Sequence, residues 1–170
     1  MKSMIKTGVI GVLAFATLPL PVAAADVGAA FREGRSAFSL VVGSGTAFDQ
    51  TYTVIGVGVN YYVLDGLSLG LGVESWSGED PGITKVTPSV TYVFHRVPVV
   101  KPYLGAFYRR NYIDGEDNVD SYGGRAGLYF GSDRVVIGVG GVYEKYQDCK
   151  TSRYVDCDDT YAEISVLFTF

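Results

Sequence analysis

The chain has 170 residues and a formal net charge of −4, and 48% of its residues are hydrophobic. An acidic chain is a poor partner for nucleic-acid phosphates, so we expect no nucleic-acid partner. After the first 25 residues, no stretch approaches the roughly 18 consecutive apolar residues of a membrane-spanning helix. A helical membrane protein is therefore excluded, which leaves a soluble β domain or a β-barrel whose apolar residues are spread along alternating strands.

The beginning of the chain has the order of a secretory signal peptide. Two lysines precede an apolar stretch from Gly8 to Leu20, and a series of small residues ends at Ala25. We predict a signal peptide over residues 1–25 and one mature domain over residues 26–170. The mature domain keeps 12 basic and 18 acidic residues, so it is more acidic than the whole chain.

The mature sequence reads as β-rich runs separated by turn-forming residues, with no helical period. The eight runs occupy residues 35–45, 52–63, 67–77, 83–94, 101–112, 121–130, 135–146 and 160–170. Their length suits tilted strands that cross a bilayer. Tight turns follow the second, fourth and sixth runs, and polar loops that are often longer follow the others. This pattern predicts an all-β fold, an eight-stranded antiparallel up-and-down transmembrane β-barrel.

Proline interrupts one of these runs. Pro88 lies inside the fourth run, where it cannot donate a ladder hydrogen bond, and a closed barrel offers no free edge to accommodate it. We therefore expect a bulge or a split of that strand at Pro88.

Alternation within the runs separates an apolar face from a face of glycines and charges. In the last run the even-numbered positions from Ala162 to Phe170 are all apolar. We assign the apolar face to lipid and the other to the lumen, where charges can pair with one another. The predicted lumen charge network comprises Arg35, Glu74, Lys85, Arg109, Arg125, Glu144 and Glu163.

Two other residue types support this assignment. Glycines are predicted to face the lumen because eight strands enclose an interior only just wide enough for side chains. These are Gly56, Gly58, Gly70, Gly72, Gly105, Gly123, Gly127, Gly138 and Gly140. Aromatic residues near the run ends are predicted to form girdles at the two lipid–water interfaces. These are Tyr61, Tyr92, Phe94, Tyr108, Tyr112, Tyr122, Phe130, Phe168 and Phe170.

Two phrases and the end of the chain resemble a known family. Asn60–Leu69 reads as an inner turn followed by a lipid-facing strand, and Lys101–Ala106 opens the fifth strand. With the eight-run layout, these resemble the small outer-membrane β-barrels of the OmpA-barrel and OmpX type. The resemblance implies the cell outer membrane of a Gram-negative envelope, contact with outer-membrane lipid and lipopolysaccharide, and insertion by the barrel-assembly machinery. The implied assembly signal consists of Ile164, Val166, Phe168 and Phe170.

Few residues offer chemistry. Cys149 and Cys157 are predicted to form a disulfide because the chain is exported, and a metal pair would want more ligands. His95 is the only histidine and lies in an inner turn, which argues against a hydrolase with a histidine base. Acidic side chains in the third and fourth loops offer oxygen ligands for calcium or magnesium, but solvated loops are the preferred interpretation. These are Asp114, Glu116, Asp117, Asp120, Asp156, Asp158 and Asp159.

The sequence therefore predicts a protein with no catalytic residue, metal or cofactor. The predicted function is an integral outer-membrane β-barrel with a structural or surface-interaction role, its lumen largely plugged by charged side chains. Two alternatives stay open at this point. One is a narrow ion-conducting pore, and the other is a soluble periplasmic barrel that binds an apolar ligand.

Overall fold

A computed structural model of the chain describes residues 27–47, 50–147 and 157–170, so the predicted signal peptide lies outside the described residues. Eight strands form a closed barrel in which each strand pairs with its neighbours in the chain and β8 pairs antiparallel with β1. A short 3-10 helix, η1, precedes them. The elements are η1 (Val27–Phe31), β1 (Ser36–Ala47), β2 (Gln50–Leu64), β3 (Leu67–Ser77), β4 (Ile83–Val93), β5 (Lys101–Ile113), β6 (Val119–Gly131), β7 (Val135–Tyr146) and β8 (Asp158–Thr169).

The observed strands confirm the predicted eight-stranded antiparallel up-and-down barrel. Their bounds lie within two residues of the predicted runs at every end. Within the described ranges, no helix has the length and hydrophobicity needed to cross a bilayer.

The connections define two ends of the barrel. We call the end that carries the β2–β3, β4–β5 and β6–β7 connections the turn end, and the opposite end the loop end. At the turn end the chain closes on itself, because the amides of Ser36 and Phe170 donate to each other's carbonyls at 3.1 and 3.0 Å. Gly66 in the β2–β3 turn has a φ of 82°, and a Cβ there would overlap the Val93 carbonyl, so the turn requires glycine.

Side chains alternate between a buried inner face and an exposed outer face along the strands. Large apolar side chains on the outer face are exposed, which is the reverse of what the core of a soluble barrel requires. Examples from five strands are Val59, Leu71, Leu104, Val139 and Ile164. The nine aromatic residues predicted for the girdles are all exposed as well. We call this outer surface the apolar belt.

The expectation for Pro88 was wrong. β4 is a single strand, and its pairing with β3 runs without interruption through Leu71 opposite Pro88. Its register with β5 is the same before and after the proline, with only Thr87 and Pro88 left out of the ladder. Because Pro88 lacks an N–H, local pairing is lost without a shift in register. The irregularity in register lies instead in β2, between Tyr62 and Leu64.

Glycines on the inner face allow side chains to cross the lumen, and Gly127 provides a test. A Cβ at Gly127 would overlap the Val139 carbonyl and the phenolic oxygen of Tyr103. A Cβ at outward-facing Gly124 would lie 3.5 Å from the nearest atom. We expect Gly127→Ala to destabilise the barrel by about 1–3 kcal/mol, as overpacking does. Gly124→Ala serves as the control and should be nearly neutral. Urea unfolding of the refolded protein measures both, and equal stability of the two variants would contradict the assigned faces.

Candidate functional site

The centre of the lumen is occupied by Arg109 of β5, which is fully buried. Its Nη2 donates to Glu74 Oε1 on β3 at 2.7 Å, and its Nη1 donates to Glu144 Oε2 on β7 at 2.7 Å. The same Nη1 donates to the Tyr161 hydroxyl on β8 at 2.7 Å, and Nε donates to Thr87 Oγ1 on β4 at 2.9 Å. The fork of guanidinium donors thus links β5 to four other strands across the barrel.

A second cation and a hydroxyl complete this arrangement. Lys85 Nζ lies 3.6 Å from Glu144 Oε2, and Ser121 Oγ donates to Glu144 Oε1 at 2.5 Å. Two carboxylates therefore share the buried site with two cations, which compensates the cost of removing each charge from water. We call this group the Arg109 cluster; it consists of Glu74, Lys85, Thr87, Arg109, Ser121, Glu144 and Tyr161.

Two of the other predicted charges form a separate pair nearer the turn end. Arg125 Nη1 on β6 lies 3.3 Å from Glu163 Oε1 on β8. The Arg125 guanidinium also lies over the Phe107 ring, 5.2 Å from its centroid. This pair spans β7, the single strand that lies between β6 and β8.

Six of the seven residues of the predicted charge network thus fall into two groups. Arg35 joins neither group within the described part of the chain. It precedes β1, which begins at Ser36, and its half-buried side chain lies at the turn end. Its carbonyl accepts a hydrogen bond from the Tyr62 amide of β2 at 2.9 Å, and the lumen position of its side chain stays a prediction.

The sequence reasoning missed one buried cation, Lys101. It lies at the start of β5, is 4% exposed, and its Nζ donates to the Val97 carbonyl at 2.6 Å. Lys101 shares the odd-numbered face of β5 with Arg109, so the alternation that identified Arg109 would also have found it.

Apolar and aromatic side chains fill the lumen at the loop end. Trp76, the only tryptophan in the chain, is 1% exposed, and its Nε1 donates to Glu74 Oε2 at 3.3 Å. Its ring lies under Lys85 Nζ, 3.5 Å from the ring centroid, a cation–π contact that joins it to the Arg109 cluster. We call this group the loop-end cluster; it consists of Tyr52, Val54, Trp76, Ile83 and Ile113.

A third group fills the turn end, and the sequence reasoning missed it. Phe31 of η1 is fully buried, stacks on Tyr129 at a centroid distance of 5.5 Å and contacts Tyr62 edge-on at 5.8 Å. Tyr129 stacks in turn on Tyr103 at 4.2 Å. A five-residue segment, VGAAF, is too short to show a period, which is why no element was predicted there. We call this group the turn-end cluster; it consists of Val27, Ala30, Phe31, Ala37, Tyr62, Val93, Tyr103, Tyr129, Val136 and Leu167.

A polar cavity of about 60 Å³ lies between these groups. Its lining includes Glu74 and Thr87 of the Arg109 cluster and Tyr129 and Leu167 of the turn-end cluster. Arg125, Glu163 and the hydroxyls of several serines and threonines line it as well. A polar cavity of this size has room for a few water molecules.

The predicted disulfide and the predicted assembly signal both involve β8 or the residues beside it. Cys149 lies outside the described residues and Cys157 directly precedes β8, so the disulfide stays a prediction. The side chains of the predicted assembly signal lie on the outer face of β8, with Phe170 just beyond it, and their role stays a prediction. Across residues 27–47, 50–147 and 157–170, no three His, Cys, Asp or Glu side chains are grouped to hold a metal ion.

The barrel has the same fold as two solved structures. The N-terminal β-barrel domain of Pseudomonas aeruginosa OprF superposes with a TM-score of 0.57 at 14% identity, covering 81% of this chain and 98% of that one. Neisserial surface protein A gives a TM-score of 0.58 at 15% identity, covering 80% of this chain and 96% of that one. By sequence, no family model and no curated protein matches the chain.

Both counterparts are eight-stranded outer-membrane barrels. The chain therefore has the fold of the small outer-membrane β-barrels, as the sequence predicted. The predicted location in the cell outer membrane agrees with the location of these neighbours.

Proposed function

We propose that this outer-membrane β-barrel is a non-enzymatic integral membrane protein with a structural or surface-interaction role, and that its lumen is closed to ions. The observation that carries the proposal is the fully buried Arg109, which holds Glu74 and Glu144 from opposite walls at 2.7 Å. An eight-stranded barrel has an interior only wide enough for side chains, so a cross-barrel ion cluster obstructs it.

The apolar belt supports membrane integration over the soluble alternative. Hydrocarbon offers no hydrogen-bond partner for the backbone, so an unpaired strand edge cannot lie in it. A closed barrel has no unpaired edge and can therefore span a bilayer. Because the large apolar side chains point outward and the ionised ones inward, lipid is the solvent that this surface fits. Contact with outer-membrane lipid and lipopolysaccharide, and insertion by the barrel-assembly machinery, belong to the same proposal.

The loop end supports a surface-interaction role. The β3–β4 and β5–β6 connections expose five acidic side chains, and we infer that this end faces outward because barrels carry their longer loops on the extracellular side. These side chains are Glu79, Asp80, Asp114, Glu116 and Asp117. His95, the one histidine, lies at the opposite end in the β4–β5 turn, away from the loop end.

Planar-bilayer recording tests the closed lumen. Purified protein, refolded into lipid vesicles and fused with the bilayer, is expected to give no reproducible single-channel steps. Flotation of the same vesicles on a density gradient is the control, since the protein must remain with the lipid after a urea wash. Regular conductance steps would favour the narrow pore instead, and release into the soluble fraction would favour the soluble ligand-binding barrel.

A further inference from the structure

We propose that η1 and the Arg109 cluster close the lumen in series. In this proposal the turn-end mouth of the lumen is a binding site for a short apolar segment, and η1 of the same chain occupies it. This inference rests on the proposed closed lumen. It adds a second, separate closure and a polar compartment between the two.

Closure of the sheet does not require η1. The barrel is closed by the pairing of β1 with β8, and η1 takes part in none of the strand ladders. Yet Ala30 and Phe31 are completely buried and Val27 is 4% exposed. A segment outside the sheet buries its apolar side chains only when a complementary surface receives them, and here that surface is the ring of Tyr62, Tyr103 and Tyr129.

η1 is attached to the β2–β3 turn by hydrogen bonds. Its carbonyl at Phe31 accepts a hydrogen bond from the Gly66 amide at 2.7 Å, and the Glu33 amide just after η1 donates to Asp65 Oδ1 at 2.9 Å. Both of these bonds go to the β2–β3 turn. η1 carries no charged residue, and its apolar side chains pack in the turn-end cluster. Such a segment can be displaced without breaking a strand ladder.

The polar cavity lies between η1 and the Arg109 cluster. The polar cavity is bounded toward the turn end by Tyr129 and Leu167, which pack with η1, and toward the loop end by Glu74 and Thr87, which bind Arg109. Displacing η1 would therefore admit water from the turn end into the cavity. The Arg109 cluster would still block passage to the loop end.

Thiol labelling of a cavity residue tests the inference in the full chain. Ser165 lines the cavity and is 6% exposed, so Ser165→Cys reports access of a membrane-impermeant thiol reagent. Ala30→Asp places a carboxylate in the packed turn-end cluster, where an unpaired buried charge is strongly disfavoured. We expect Ser165→Cys to react at least about tenfold faster when combined with Ala30→Asp, because that charge expels η1. Arg32→Asp is the matched control, since it places the same carboxylate two residues away on an exposed side chain.

The outcomes separate this inference from the proposed function. Conductance of the unmodified protein would refute the closed lumen itself. If the unmodified protein is silent but Ser165→Cys reacts equally fast with and without Ala30→Asp, η1 is not a closure. If the Ala30→Asp variant, without Ser165→Cys, conducts ions across the bilayer, the Arg109 cluster is not a second closure. Should Ala30→Asp fail to refold, Phe31→Ala, which removes the stacked ring without adding a charge, is read by the same labelling assay.

Discussion

Replacing Arg109 by methionine is expected to lower the free energy of unfolding by about 3–5 kcal/mol, because Glu74 and Glu144 would be left buried without their main cation. Both carboxylates lie 2.7 Å from Arg109, and Glu144 is completely buried. Lys85 lies 3.6 Å from Glu144 and is the cation that remains beside it. Urea unfolding of the refolded barrel, followed by circular dichroism, measures the loss.

Arg110→Met is the matched control for this experiment. Arg110 is the next residue of the same strand, but it lies on the exposed outer face opposite Asp120. Exposed ion pairs contribute about 0–1 kcal/mol, so this variant should unfold almost like the parent. The double variant Glu74→Gln, Arg109→Met should recover part of the loss, since Glu74 no longer carries a charge and Glu144 keeps Lys85 as its cation. Equal losses for Arg109→Met and Arg110→Met would remove the basis for the Arg109 cluster as the central obstruction.

Arginine at Leu71 is expected to destabilise the barrel in a bilayer by about 2–4 kcal/mol, because Leu71 lies on the lipid-facing surface near the middle of β3. The side chain is 51% exposed and points to the apolar belt. Charged groups on the lipid face cost most at the midplane of the bilayer and little near its boundary.

Ser77→Arg is the control, on the same face of the same strand but at its loop end. It should cost only about 0–1 kcal/mol because that position lies near the membrane boundary. Unfolding from lipid vesicles measures both variants. A cost for Leu71→Arg no larger than that for Ser77→Arg would mean that the apolar belt does not face hydrocarbon.

The sequence alone was sufficient to predict the eight-stranded barrel and to assign the outer and inner faces of its strands. Strand alternation has a period of two, so each run that places Leu69 or Val139 toward lipid must place Gly70 or Gly140 inside. The same rule assigned Glu74, Arg109 and Glu144 to the lumen before any contact was known. It would also have identified Lys101 if it had been applied to the start of β5.

Only the tertiary structure decided which of these charges meet. Alternation assigns each residue to a face but does not determine its height along the barrel axis. Arg109 is 35 residues from Glu74 and 35 residues from Glu144, so their pairing depends on the register of distant strands. Arg35, which the sequence assigned to the same face, lies just before β1 and joins neither group of charges in the described part of the chain. Pro88 kept its register because β3 pairs with β4 without interruption on the other side.

The position of η1 depended on tertiary structure most of all. Five uncharged residues carry no periodic pattern, and their burial is due to the tyrosine rings that β2, β5 and β6 bring together at the turn end. Local sequence thus determined which side of each strand meets lipid, since that choice is made residue by residue along one strand. The contents of the lumen were decided by closure of the barrel, because only closure brings side chains from distant strands and from η1 into one enclosed space.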